Sequence, residues 1–131
     1  MGRIVRVDVG RLDYALVGEF KFFKTQARPT VLVRMPYGKR TPDMGMHGTG
    51  SWFARKGYAC VVQDVRGKFA SEGVFEPAVN EVADGHDTVE WALRQPWCDG
   101  RIGLWGESYY GLTSFAAAAG GHPAIRAIAP G

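Results

Sequence analysis

Four short apolar runs along the chain predict buried β-strands. They span residues 30–35, 58–64, 101–105 and 125–129. Most of these runs are almost continuously apolar, whereas strands with one solvent-facing side alternate apolar and polar residues. They therefore indicate strands covered on both faces, as in a parallel sheet. Two further runs, "RIVRVDV" at 3–9 and "EFKFFKT" at 19–25, predict an antiparallel strand pair that leads into this sheet.

Three segments between these runs have the spacing of helices, at residues 51–56, 80–94 and 109–119. In the second segment, Val82, His86, Val89 and Leu93 recur at intervals of three and four residues. This spacing predicts that the four side chains share one buried face. Asn80 precedes the segment and is a suitable N-cap residue.

The third helix is followed by Gly120, which we expect to adopt the left-handed cap conformation, and by Pro123, which prevents continuation. Strands and helices thus alternate along the chain. This order predicts an α/β fold, with a mostly parallel sheet and flanking helices. Residues 65–80 form a long, glycine-bearing connection, and loops of that length often contribute to functional sites.

The stretch "GESYYG", residues 106–111, places Ser108 between a predicted strand and a predicted helix. A catalytic nucleophile is often held on such a sharp turn, where small neighbouring residues avoid steric collision. Gly106 precedes the serine by two residues and Gly111 follows it by three. The N–H group of Tyr109, in the first turn of the helix, is suitably placed to stabilise an oxyanion. By spacing alone, Ser108 is either a nucleophile or an ordinary turn serine.

A second oxyanion donor is expected from the loop after an earlier strand. That loop is "PYGK", residues 36–39, and it contains Tyr37. A phenol hydroxyl can donate a hydrogen bond to an oxyanion, although a tyrosine at this position also fits a core aromatic with a solvated tip. A nucleotide site is a poorer interpretation, because the glycines around Ser108 do not form the G-x-G-x-x-G pattern.

Composition narrows the choice of partners. The net charge is +3, and the basic residues form no stripe with interleaved aromatics, so we expect no nucleic-acid binding. Cys60 lies in an apolar run and Cys98 in a polar turn, and we expect neither a disulfide nor a metal site. The sequence contains no run of about 18 apolar residues and no apolar leader, which favours a cytoplasmic protein without membrane contact.

Several ordered motifs together resemble one family of acyl hydrolases. These motifs are "RMPYGK", "GYACVVQDVRGKFASEGVF", "DTVEWALRQPWCDGRIGLWGESYYG" and "HPAIRAIAP". They resemble the cocaine esterase/X-prolyl dipeptidyl-peptidase type of α/β-hydrolase over residues 30–131. The resemblance implies that Ser108 is the nucleophile and that the Tyr37 hydroxyl and the Tyr109 N–H form the oxyanion hole. It also implies small-molecule ester or X-Pro peptide substrates, with no metal and no organic cofactor.

The chain departs from this family in two respects. Residues 1–29 do not reproduce the family's opening, and no Asp or Glu follows Ser108, although hydrolases of this fold place the acid and then the histidine after the serine. His122, the only later histidine, is expected at a helix end. His47 either lines the site or is a solvated loop residue, and His86 is expected to pack on its helix.

We therefore expect a truncated hydrolase that consists of one partial domain, residues 1–131. We expect the helical cap and the C-terminal jelly roll, which the resemblance to the family implies after this region, to be absent. Such a chain would carry the nucleophile without the acid and the histidine that activate it, and it would be inactive alone. The alternative is a non-catalytic orphan or binding module derived from a truncated hydrolase. In either case the last strand leaves a free sheet edge, which favours self-association.

Overall fold

The described residues form one mixed β-sheet with helices on both faces. A computed structural model describes residues 3–9, 12–18 and 26–131, and the first two stretches and His47 are described by their backbone alone. Within these residues the sheet has six strands in the order β1-β2-β4-β3-β5-β6. Their bounds are Arg3–Val9, Leu12–Gly18, Arg28–Met35, Ala59–Asp64, Cys98–Gly106 and Ile125–Pro130 for β1 to β6.

Four of these strands, β3 to β6, form the parallel core of the sheet. This confirms the parallel sheet predicted from the four apolar runs. The strand predicted at 3–9 is β1, which pairs antiparallel with β2, and β2 pairs antiparallel with β4. The strand β2 was not predicted as a strand. The other predicted lead-in strand, at 19–25, lies outside the described residues.

Three α-helices flank the sheet in the described part of the chain: α1 (Met46–Arg55), α2 (Glu81–Leu93) and α3 (Ser108–Ala119). The side chains of β3 alternate between two apolar cores. Leu32 faces α2 and α3, together with Ile102 and Leu104, whereas Val31 and Val33 face α1. The strands β3 and β4 are covered on both faces, which explains their near-continuous apolar runs. The expectation of a buried strand was wrong for β6, because it lies at the edge of the sheet and residues 126–129 are exposed.

The helix α1 begins at Met46, five residues before the predicted start at residue 51. His47 therefore lies in a helix and not in the loop where the sequence placed it. After α3, Gly120 keeps a right-handed conformation with φ −66°, and Gly121, with φ +69°, is the residue that turns left-handed. The predicted cap was therefore wrong by one residue.

Only two of the four side chains predicted to be buried on α2 face the core. Val82 is 46% exposed and His86 is also exposed, whereas Glu81, Asp84 and Thr88 are buried. The apolar spacing was misleading because the buried side of this helix carries acidic residues, which are compensated by a buried arginine of the sheet. Asn80 occupies the N-cap position but makes no side-chain capping hydrogen bond.

That arginine is Arg34, which is 3% exposed. Its Nη2 lies 3.1 Å from Glu81 Oε2, and its Nε donates to Gln63 Oε1 at 2.6 Å. On the neighbouring helix, Thr113 Oγ1 donates to the backbone oxygen of Arg34 at 2.8 Å. A buried charge of this kind requires such partners, and the network connects α2 and α3 to the sheet.

The two cysteines are free thiols. Cys60 lies fully buried in β4, and burial raises the pKa of its thiol to about 12. Cys98 is partly buried at the start of β5. None of the helices in the described ranges combines the length and the apolar character needed to cross a membrane.

Candidate active site

Ser108 stands at the junction between β5, which ends at Gly106, and α3, which begins at the serine itself. Its φ is +52°, a left-handed conformation that non-glycine residues rarely adopt. A Cβ atom at Gly106 would lie 2.4 Å from the carbonyl oxygen of Tyr110, and one at Gly111 would lie 3.1 Å from the carbonyl oxygen of Gly131. The turn therefore has no room for a side chain at Gly106 and little room at Gly111, in agreement with the G-x-S-x-x-G spacing.

The end of β6 holds the turn from the other side. The Ser108 N–H donates to the Gly131 carbonyl oxygen at 3.1 Å, and the Gly131 N–H donates to the Gly106 carbonyl oxygen at 2.7 Å. Two main-chain hydrogen bonds thus attach the turn before α3 to the end of β6. Strained backbone persists only where its surroundings over-determine it, and such strain is concentrated at functional sites.

Tyr37 reaches this turn from the loop after β3. Its hydroxyl lies 3.3 Å from Ser108 Oγ, although 71 residues separate the two in sequence. Its ring packs edge-on against Tyr110, with centroids 6.0 Å apart. The ring packs against the apolar core on the α1 side of the sheet, and the hydroxyl lies beside the serine. The structure therefore brings together two of the predicted site residues, and Tyr37 is also a partly buried core aromatic.

Tyr109 is the second residue of α3. Its N–H belongs to the first helical turn and has no i−4 carbonyl partner within the helix. Its side chain turns away from Ser108, because the hydroxyl donates to Glu81 Oε1 at 3.0 Å and accepts from the Ala78 N–H at 3.0 Å. Burial raises the pKa of this phenol, and the hydrogen bond to Glu81 adds to the shift.

A cavity of about 370 Å³ opens beside the serine. Its lining residues are Tyr37, Met44, Glu107, Ser108, Tyr110 and Gly131. The Tyr110 hydroxyl donates to Glu107 Oε1 at 2.8 Å, and burial together with this carboxylate raises the pKa of Tyr110 to about 12. Glu107 and Tyr110 were not predicted to line the site, although their i, i+3 spacing around the serine indicates that their side chains can meet.

No histidine is among the described residues that line this cavity. The Nδ1 of His122 accepts from the Ala124 N–H at 3.1 Å, so its Nε2 carries the proton and donates to Glu90 Oε1 at 2.8 Å. Its ring also packs beside His86, with centroids 5.2 Å apart. Both ring nitrogens of His122 are thus engaged beyond α3, as expected for a helix-end histidine.

A second, apolar crevice of about 440 Å³ lies between α1 and β5. Trp52, Phe53 and Trp105 supply its aromatic walls, and Trp52 is 51% exposed. Trp105 also packs against Tyr110, with ring centroids 5.7 Å apart, so this crevice adjoins the serine cavity through a shared aromatic pair.

Comparison with solved structures supports the assignment of the fold. An α-amino acid ester hydrolase is 28% identical to this chain and superposes with a TM-score of 0.75, over 98% of this chain and 24% of that one. A CocE/NonD family hydrolase from Staphylococcus aureus is 23% identical, with a TM-score of 0.78 over 96% of this chain and 26% of that one. At that identity the second likeness shows the α/β-hydrolase fold alone.

Sequence comparison supports the family. The chain is 48% identical over 104 residues to a cocaine esterase from Rhodococcus sp. (strain MB1 Bresler), which covers 78% of this chain. It spans only 18% of that esterase's length. The sequence pattern of the X-Pro dipeptidyl-peptidase (S15) family matches residues 24–131. The chain therefore belongs to the X-Pro dipeptidyl-peptidase (S15) family of hydrolases, with the fold of the α/β-hydrolases.

Proposed function

We propose that this chain supplies the nucleophile and the oxyanion hole of a serine hydrolase acting on small-molecule esters or X-Pro peptides. The single observation that carries the proposal is the strained Ser108, with φ +52°, and the Tyr37 hydroxyl 3.3 Å from its Oγ. The similarity to a cocaine esterase supports an ester substrate, and the family supports an X-Pro dipeptide bond.

In the proposed reaction, Ser108 Oγ attacks the carbonyl carbon of the substrate. The Oγ–C bond forms, the carbonyl π electrons move onto the oxygen, and the serine proton passes to a general base. Collapse of the intermediate expels the alcohol or amine, which takes that proton. Water then attacks the acyl-enzyme in the same way, releases the acid and restores the serine hydroxyl. The reaction needs neither a metal nor an organic cofactor.

Two donors would stabilise the negative oxygen. The Tyr37 hydroxyl can turn from Ser108 Oγ toward an oxygen on the carbon bound to it, since the two hydroxyls are already within reach. The Tyr109 N–H in the first turn of α3 is the second donor. Removing one such donor costs about 10²- to 10³-fold in kcat, because the group acts where charge develops in the transition state.

The base and its orienting acid are proposed to lie outside these 131 residues. No Asp or Glu follows Ser108, and the α/β-hydrolases place both partners after the serine. His122, the one histidine in that part of the chain, is held by Glu90 and Ala124. Since removal of the histidine of such a triad lowers kcat by about 10⁶-fold, we expect the isolated chain to be inactive.

A second candidate is a non-catalytic binding module with the fold of a hydrolase. It is favoured by a serine cavity whose described lining contains no histidine, and by the neighbouring apolar crevice. Either function would be accompanied by self-association through β6, which pairs only with β5 among the described strands. Hydrolysis by the isolated chain that depends on Ser108 would contradict the second candidate.

The proposal is tested by joining the chain at Gly131 to the following region of the Rhodococcus cocaine esterase and measuring p-nitrophenyl ester hydrolysis. We expect Ser108→Ala to abolish turnover and Tyr37→Phe to lower kcat by about 10²-fold or more. Ser114→Ala is the matched control, because this buried serine of α3 donates to the Tyr110 carbonyl away from the cavity. A Ser108→Ala chimera that retains the parent rate would contradict the proposal.

A further inference from the structure

The loop that joins β4 to α2, residues 65–80, has an unusual backbone. Two of its non-glycine residues have positive φ, Phe69 at 49° and Ala78 at 63°. The only other such residue across 3–9, 12–18 and 26–131 is Ser108. A loop that keeps two strained residues must be held in place by its contacts. Each of these residues contacts the segment that carries one of the two proposed oxyanion donors.

The Ala78 end of the loop is attached to Tyr109. The Ala78 N–H donates to the Tyr109 hydroxyl at 3.0 Å. The ring of Phe75 packs against the ring of Tyr109, with centroids 5.8 Å apart. The same hydroxyl donates to Glu81 Oε1 at 3.0 Å, and Glu81 is the first residue of α2 after the loop. Glu81 is 4% exposed and is itself held by Arg34, so the side chain of Tyr109 is fixed.

The Phe69 end of the loop is attached to the segment that carries Tyr37. A Cβ atom at Gly38, which has φ +87°, would lie 2.8 Å from the Phe69 ring, so the ring rests directly on this glycine. Asp64, the last residue of β4 before the loop, accepts from the Lys39 N–H at 2.7 Å and pairs with Lys39 Nζ at 3.0 Å. The side chains of both charged residues are almost completely buried.

We infer that the loop at 65–80, together with the two carboxylates that flank it, positions the oxyanion hole. Asp64, before the loop, holds the Tyr37 segment, and Glu81, after the loop, holds Tyr109. Neither carboxylate lines the serine cavity, so both are positioning residues that act through the donors. The inference rests on the proposed function, because it concerns the same two donors. A donor that moves by a fraction of an ångström loses contact with the developing charge while the ground-state substrate still binds.

The test variant is Tyr109→Phe in the chimera with the cocaine esterase region. It removes only the hydroxyl and keeps the backbone N–H and the ring contact with Phe75. We expect kcat to fall by about 10- to 100-fold, with KM within about twofold. Affinity for a boronic acid transition-state analogue should fall in parallel with kcat/KM. Glu81→Gln should also lower kcat. In the double variant that combines Tyr109→Phe with Glu81→Gln, kcat should fall no further than in the more affected single variant, because the two residues act as a unit.

Val89→Ala is the control for a merely structural effect. Val89 is fully buried on the same helix as Glu81 but contacts the apolar core, so this variant should melt at a lower temperature with kcat unchanged.

An equal fall of kcat in the control, or a rise of KM alone in Tyr109→Phe, would overturn the inference. So would an unchanged kcat in Tyr109→Phe when Ser108→Ala is inactive. Activity that survives Ser108→Ala, or a parent chimera no more active than Ser108→Ala, counts instead against the proposed function.

Discussion

Replacing Gly106 by alanine tests whether the serine turn depends on close approach of backbone to backbone. The added Cβ would lie 2.4 Å from the Tyr110 carbonyl oxygen, 2.5 Å from its carbonyl carbon and 2.5 Å from its ring. Two of these atoms belong to the helix backbone and cannot rotate away. The turn must therefore open, or α3 must shift along the sheet.

The expected cost is about 3 kcal/mol, the upper end for over-packing in a well-packed interior. An unfolding entropy of about 2.1 cal/mol/K per residue gives about 280 cal/mol/K for 131 residues. The melting temperature should therefore fall by about 11 °C. Thermal unfolding of the 131-residue chain, followed by circular dichroism at a fixed protein concentration, measures this shift.

Gly103→Ala is the matched control on the same strand. A Cβ atom there would meet only the Thr30 carbonyl oxygen, at 4.0 Å, which is ordinary contact. Alanine in a strand interior is favoured over glycine by roughly 0.5–1 kcal/mol, so this variant should melt at the parent temperature or slightly above it. If Gly106→Ala melts within about 3 °C of the parent, or Gly103→Ala falls as far, the steric argument is wrong.

Two further predictions concern pH and association. The pKa of Tyr110 rises from its ordinary value of 10.0 to about 12 in the folded chain, so the folded state keeps a proton that the unfolded state loses between these values. The free energy of unfolding should therefore fall as pH rises through this window. Urea unfolding at several pH values measures this fall, which should be smaller in Tyr110→Phe than in the parent chain. The same pH dependence in both proteins would refute the prediction. The exposed strand β6 should cause self-association, and Ile128→Lys should reduce it in sedimentation velocity, since Ile128 is 39% exposed and edge lysines oppose pairing. A parent chain that stays monomeric at every concentration would contradict the second prediction.

Local patterns were sufficient for most of the architecture. The apolar runs located β3 and β4 because strands covered on both faces have few polar positions. The run at 125–129 located β6 as a strand, but four of its residues are exposed. The glycines at 106 and 111 located the serine turn, because the close approach of backbone atoms leaves no room for a side chain at Gly106 and little room at Gly111. The order of elements then predicted a parallel sheet, since a strand, a helix and a second parallel strand connect with one handedness.

Patterns of apolar residues did not predict the buried positions correctly where the buried side chains are polar or charged. The buried face of α2 was predicted correctly at Val89 and Leu93 but not in its first half. There Glu81 and Asp84 point inward, toward an arginine 47 to 50 residues earlier in the chain. A single segment cannot reveal that its acidic residues have a distant partner. The same reason hid the roles of Asp64 and Lys39, whose buried pair joins β4 to the Tyr37 segment.

The sequence by itself determined the α/β alternation, the turn at Ser108 and the candidate donors Tyr37 and Tyr109. It did so because these features depend on local spacing and on residue types with few alternatives. Only the tertiary structure decided that the Tyr37 hydroxyl lies 3.3 Å from a serine 71 residues away, and that the loop at 65–80 contacts both donor segments. Such contacts depend on the register of β3, β4 and β5 and on the packing of α2 against α3, which no local pattern specifies.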